Sequence, residues 1–220
     1  MQREKNNNFI LDFTGVYDDE FAKEKTSLTW IDCTDITGCD MYVSDEAEKQ
    51  IGERVDSVGI HGIHFLDSGN YHYVSKLWTD KINEPFSMVL FDHHPDMQPS
   101  LFEEMLSCGS WVKNMLDTNP CLRKVLIVGA ADKLIRSVPD EYKSRVKFYG
   151  ESVMEHEEAW RSFSHEHVDE PVYISVDKDV LNKESAVTNW DQGSMSLDSL
   201  ESLLTIILRN ENVIGIDVCG

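Results

Sequence analysis

"SMVLFDHHPD", residues 87–96, is an apolar run that ends in two aspartates and two histidines within five positions. A run this short and this uniformly apolar fits a strand buried on both faces of a parallel sheet. Its polar end falls where open α/β sheets build their sites, beyond the carboxyl ends of the strands. Similar runs recur on either side: "NFILDF" (8–13), "LTWIDC" (28–33), "VGIHGIHFLD" (58–67), "KVLIVGA" (124–130), "VKFYG" (146–150), "PVYISVD" (171–177) and "NVIGID" (212–217). Amphipathic segments separate them. In "SLDSLESLLTIILRN" the leucines 197, 200, 203, 204 and 208 and Ile207 recur at helical spacing, and Ser196 stands where an N-cap belongs. Ser100 and Glu103 have the spacing of a capping box ahead of Phe102, Met105, Leu106, Val112 and Leu116. The alternation predicts a three-layer α/β/α fold around a mostly parallel sheet of about eight strands. With no repeat, low-complexity tract or Pro/Gly/Ser linker, residues 1–220 are expected to form a single domain.

Composition narrows the partners. Forty acidic against twenty basic residues give a formal charge of -20, which repels nucleic acid and acidic membrane surfaces. No eighteen apolar residues run together, and "MQREKNNNF" has no apolar signal core, so a cytoplasmic location is expected. Five cysteines (33, 39, 108, 121, 219) lack CxxC spacing and suggest reduced thiols rather than a disulfide framework or a structural zinc site.

Three runs end in ligand-type residues. Alternate side chains of extended backbone point the same way, so Asp92, His94 and Asp96 can converge, and so can Asp177 and Asp179 in "SVDKDVL". His72 follows the run at 58–67. Together they form an oxygen and nitrogen donor set suited to Mn²⁺, with Fe, Co or Zn also accommodated. Without cations, carboxylates gathered in a cleft would repel one another. Histidines 61, 64 and 72 lie close together, and each of them reads as well as a satisfied core or surface residue as it does as a ligand, while His165 and His167 read as part of a solvated connection.

"DHHPD" admits two family resemblances. The triplet Asp92-His93-His94 resembles the DHH phosphoesterases, but those place aspartate-rich motifs upstream, whereas the D-x-D of this chain comes after the triplet. The order "GNYH", "DHHPD", "SVDKD", each at a strand end, resembles the arginase/agmatinase/formiminoglutamase (ureohydrolase) superfamily, whose counterparts read roughly GGxH, DAHxD and SxDxD. This resemblance spans residue 58 to the C-terminus. It implies two Mn²⁺ ions bridged by Asp92 and Asp177, with His72 and Asp96 completing one position and His94 and Asp179 the other. His93 would turn to the opposite side of the strand. The implied reaction is hydrolysis of a non-peptide C–N bond in a guanidino, formimino or related amidine or amide substrate, by attack of a metal-bridging hydroxide. Asp96 would accept the proton. A small, cationic, nitrogenous substrate and a homo-oligomer are implied as well.

Three departures bear on catalysis and substrate. Where the family has His-Gly, this chain has Cys108-Gly109; a cysteine cannot be the same imidazole proton shuttle, and Cys108 either lines the pocket in a catalytic role or is a buried structural thiol. After "SVDKD" comes "AVTNWDQGSMS", in which Asn189, Trp190, Asp191 and Gln192 either shape a different substrate pocket or form an exposed turn with Gly193. The glutamate expected after the last strand falls on or beyond Gly220, so either the sequence is truncated there or substrate binding differs. Two alternatives stand beside the leading reading: a zinc amidohydrolase or deacetylase of the same broad fold, and a metal-binding homologue without turnover.

Overall fold

A computed structural model describes residues 8–17, 28–56, 58–100, 102, 105–166 and 168–220. All eight predicted strands form, as β1 (Asn8–Asp12), β2 (Leu28–Asp32), β4 (Ile63–Phe65), β5 (Phe86–Phe91), β7 (Leu122–Val128), β8 (Val146–Tyr149), β9 (Val172–Asp177) and β10 (Val213–Cys219). They make one sheet in the order β2-β1-β4-β10-β9-β5-β7-β8, with every neighbouring pair parallel. Two further strands, β3 (Tyr42–Val43) and β6 (Leu106–Ser107), pair antiparallel as a small separate ribbon.

The period-two rule of extended chain sorts each central strand into two cores. Phe86, Met88 and Leu90 of β5 pack with α1 (Asp45–Val55), α2 (Val74–Thr79) and α3 (Trp111–Thr118), through residues such as Ile51, Trp78 and Met115. Val89 and Phe91, the alternate residues, face α5 (Glu151–Met154), α6 (Glu157–Ser164) and α7 (Leu197–Asn210), with Phe163, Leu203 and Ile207 in that second core. A short helix, α4 (Asp132–Ile135), follows β7. The central strands are thus covered on both faces, which is why β5 and β9 read as unbroken apolar runs, whereas the edge strand β2 is largely exposed.

Two helix expectations are corrected. Ser196 does cap α7, accepting from the Ser199 N–H, but only Leu200, Leu203 and Ile207 are buried; Leu197 and Leu208 are exposed. At 100° per residue those two lie roughly 90–110° from the centre of the buried stripe. The expected capping box at Ser100 starts no helix. Its hydroxyl donates instead to the carbonyls of Phe102 and Met105 in a turn, Phe102 is exposed, and Leu106 and Ser107 pair with Val43 and Tyr42 as β6. The helix begins only at Trp111, and Glu103 lies outside the described residues.

Away from the strand ends, the Glu166 carboxylate ties β7 to β8 by meeting Lys124, Lys147 and the Tyr149 hydroxyl. Burial pushes this carboxyl up, but the two lysines and the tyrosine outweigh it and hold it down to about 2. A folded-state pKa below the ordinary 4.5 contributes stability that is complete above that pH and is lost as pH falls toward 2. Because both lysines are partly exposed, Glu166→Gln is expected to cost about 1 kcal/mol at neutral pH. Denaturant melts should show that difference shrinking below pH 4.5.

Candidate metal centre

The donors predicted from sequence meet at the carboxyl ends of β5 and β9, two adjacent strands at the middle of the sheet. Asp92 follows β5, Asp177 closes β9, and Asp179 sits in the single turn after it. His72 arrives from the segment after β4. His72 Nδ1 lies 3.2 Å from Asp92 Oδ2, 3.3 Å from Asp96 Oδ2 and 3.5 Å from Asp177 Oδ2. On the other side, His94 Nδ1 is 2.8 Å from Asp179 Oδ2 and 3.6 Å from Asp92 Oδ1. The two oxygens of Asp92 therefore face one histidine each. Two donor groups share it: His72, Asp92 and Asp96, and Asp92, His94 and Asp179, the donor atoms within each lying inside 4.8 Å of one another.

The backbone aims these groups. Asp96 is in the left-handed region (φ 49°), which turns the chain after Pro95 so that its carboxylate comes back toward His72. The buried Trp111 indole donates to Asp96 Oδ2 at 2.7 Å and holds it there. Asp179 accepts the His93 N–H at 3.0 Å, and Asp177 Oδ1 accepts the Asp179 N–H at 2.9 Å. Beneath them, Ser175 donates to Asp217 Oδ1 (2.6 Å), so its oxygen is left to accept from His72 Nε2 (2.8 Å). That places the ring proton on Nε2 and turns the Nδ1 lone pair toward the carboxylates.

Whether a cation fits can be judged from what the cluster lacks. His72 Nδ1 and Asp92 Oδ2 are buried without a hydrogen bond of good geometry, although such groups are nearly always satisfied. Burial, then the charges of Asp179 and Asp96, push the Asp92 carboxyl well above the usual range, and burial with Asp179 raises Asp177 to about 6. Burial works against protonation of His94, yet Asp179 and Asp92 outweigh it and raise that imidazole to about 11. The cluster is short of positive charge, and its carboxylate and imidazole donors suit divalent cations. The residues fit.

The centre floors a cavity of about 270 Å³ whose walls include Met41, Tyr42, Gln98, Ser107, Cys108 and Trp190. Cys108 thus lies on the cavity, and burial, followed by the nearby Asp96, pushes its thiol up to about 12. From the segment after Asp179 the residue facing the cavity is Trp190. Asn189 instead donates to Asn70 Oδ1, and Asp191 is exposed away from the walls. Of the four residues read from that segment, Trp190 is the one on the cavity wall, and its indole N–H donates to Asn70 Oδ1, 120 positions away (2.9 Å), a contact that no sequence pattern signals. His93 is buried beside Gly193, as its alternate position suggested, and His64 is a core residue bonded to the Tyr173 hydroxyl. His165 is exposed on the Arg161 carbonyl, and His167 lies outside the described residues.

A parallel sheet with acids and imidazoles gathered at its central strand ends defines the class, an α/β protein with a candidate metal centre. The sequence profile of the Arginase family matches residues 14–220, and the chain belongs to that family. An uncharacterized protein of Thermotoga maritima is 32% identical over 212 residues, spanning 96% of this chain and 78% of its own. Among solved structures, arginase from Bacillus caldovelox is similar with a TM-score of 0.67 at 13% identity, covering 98% of this chain and 90% of that one. Proclavaminate amidino hydrolase from Streptomyces clavuligerus gives 0.64 at 14% identity (98% and 84%), and formimidoylglutamase from Bacillus subtilis 0.62 at 15% (99% and 80%). Among the described residues, no helix is long and apolar enough to cross a membrane.

Proposed function

We propose that this protein hydrolyses a non-peptide C–N bond of a small amidine-type substrate at a centre holding two Mn²⁺ ions. The observation that carries the reading is Asp92, whose two oxygens each face a separate histidine-carboxylate group on the floor of one cavity. His72 and Asp96 would hold one ion and His94 and Asp179 the other, with Asp92 and Asp177 between them. Bound there, the cations would supply Lewis acidity and bring the ionisation of water into the neutral range. Asp96, fixed by the Trp111 indole, is placed to accept a proton at its carboxylate. The Ser175–Asp217 pair keeps His72 in the tautomer that leaves Nδ1 free. Cys108, held as a neutral thiol, contributes bulk and a weak donor to the wall rather than an imidazole-like shuttle.

The walls also speak to the substrate. No lysine or arginine occurs among the described residues lining the cavity, so a substrate carboxylate finds no ionic anchor among them. Tyr42 and Trp190 offer aromatic surface, which attracts a guanidinium or amidinium by about 0.5–2 kcal/mol. The cavity is slightly below the roughly 300–1,000 Å³ of ordinary ligand pockets, so the substrate is small. We therefore expect turnover of compact guanidines or amidines with an uncharged remainder, ahead of amino-acid substrates. The test is a screen of guanidino, formimino and acylated amine compounds with Mn²⁺, reading ammonia, urea and free amine. Release from a carboxylate-free amidine is expected; no product from any compound would overturn the enzymatic reading.

A further inference from the structure

Beside the two donor groups sharing Asp92 lies a third. His72, Asp177 and Cys219 also bring their donor atoms within 4.8 Å of one another, and all three are buried. Register explains the meeting. β9 and β10 are parallel neighbours in which Asp217 lies opposite Ser175 and Cys219 opposite Asp177. Since alternate residues share a face, Ser175, Asp177, Asp217 and Cys219 line one patch beneath His72. Two of its contacts are hydrogen bonds that orient the histidine, Ser175 to Asp217 and His72 to Ser175. The Cys219 thiol stands one repeat further along, with Sγ 3.3 Å from Asp177 Oδ2.

An ordinary core cysteine needs only apolar neighbours. Cys219 is 1% exposed, yet its sulfur faces a carboxylate oxygen and the side of an imidazole whose Nδ1 is buried and without a hydrogen-bond partner. The backbone next to it packs tightly on the same strand end. Gly220 presses so closely on β9 that a Cβ there would come within 2.3 Å of Asp177 Oδ1 and 2.9 Å of Lys178 N. The His94 side has no comparable sulfur among the described donor groups.

We infer that Cys219 is a further donor to the cation position on the His72 side, and that it biases this position toward softer divalent ions such as Zn²⁺ or Co²⁺ over Mn²⁺. The inference rests on the cation centre proposed above and divides it: an oxygen and nitrogen set on the His94 side suits Mn²⁺, while added thiolate on the His72 side favours Zn²⁺ or Co²⁺. Binding replaces the S–H bond by a sulfur–metal bond and releases one proton to water for each sulfur bound.

X-ray absorption on the full-length protein loaded with Zn²⁺ alone tests this without any variant. The expected spectrum contains a sulfur shell at about 2.3 Å, with about one sulfur for every two ions. Loading with Co²⁺ should give a thiolate-to-cobalt charge-transfer band that persists in Cys108→Ser and is lost in Cys219→Ser. The same Cys219→Ser variant should lower the preference for Zn²⁺ over Mn²⁺ by about tenfold or more. Stoichiometric binding of two ions with only oxygen and nitrogen scatterers in the wild-type protein would overturn the inference while leaving the centre intact. Absence of stoichiometric ion binding would instead overturn the centre, and the inference with it.

Discussion

Asp92→Asn is expected to abolish stoichiometric cation binding while leaving the protein folded and, without metal, more stable than the wild type. Asp92 is the residue common to two donor groups, one oxygen toward His72 and the other toward His94, so both positions lose a charged ligand at once. Loss of a partner that only supports a ligand already costs up to about 100-fold in affinity, so loss of a shared ligand should exceed that. Stability should move the other way. The Asp92 carboxylate is buried, has one oxygen without a hydrogen bond, and sits among Asp96, Asp177 and Asp179. Removing a charge from such a group relieves both desolvation and repulsion, a gain of roughly 1 kcal/mol. Calorimetric titration with Mn²⁺ and a chelated thermal melt read the two effects separately. A variant that binds as the wild type does, or that unfolds on expression, contradicts this account of Asp92.

Gly69→Ala is the second large expected effect, and it acts on the same centre through space alone. Gly69 opens the turn that carries His72, and a Cβ on it would stand 2.7 Å from Asp177 Oδ2 and 3.0 Å from Trp190 Cδ1. Both neighbours belong to the proposed site: one is a proposed ligand, the other the aromatic wall that hydrogen-bonds Asn70. Neither can yield freely, because Asp177 closes β9 in the sheet and the Trp190 indole is hydrogen-bonded. Displacing reacting groups by about an ångström costs on the order of 100-fold in rate, and that is the loss expected in kcat/KM, with a melting temperature close to wild type. An unchanged rate would mean that the turn shifts away from the centre instead.

Much of this architecture was legible because it rests on local rules. β5 and β9 read as buried strands from unbroken apolar runs, and the aspartates at their ends were set at period two. Ser175 obeyed the same period, two residues before Asp177, and could have been read as the residue that orients a ligand. What escaped depends on which strands become neighbours. Cys219 is an unremarked cysteine near a strand end until β10 is placed beside β9 in a register that sets it opposite Asp177. The contact of Asn70 with Trp190 carries no spacing signal, being made only when two loops fold over one cavity. The Ser100 helix failed for a related reason: pairing of Leu106 and Ser107 with the segment at 42–43 overrode a favourable local capping pattern.

The central claim is that Asp92 joins two cation positions. The most direct measurement is anomalous diffraction from crystals of the protein grown with Mn²⁺, collected on both sides of the manganese edge. Two peaks about 3.5–4 Å apart, with Asp92 between them, are the result expected. A single peak, or none with His72, Asp92 and His94 clearly ordered, would contradict it.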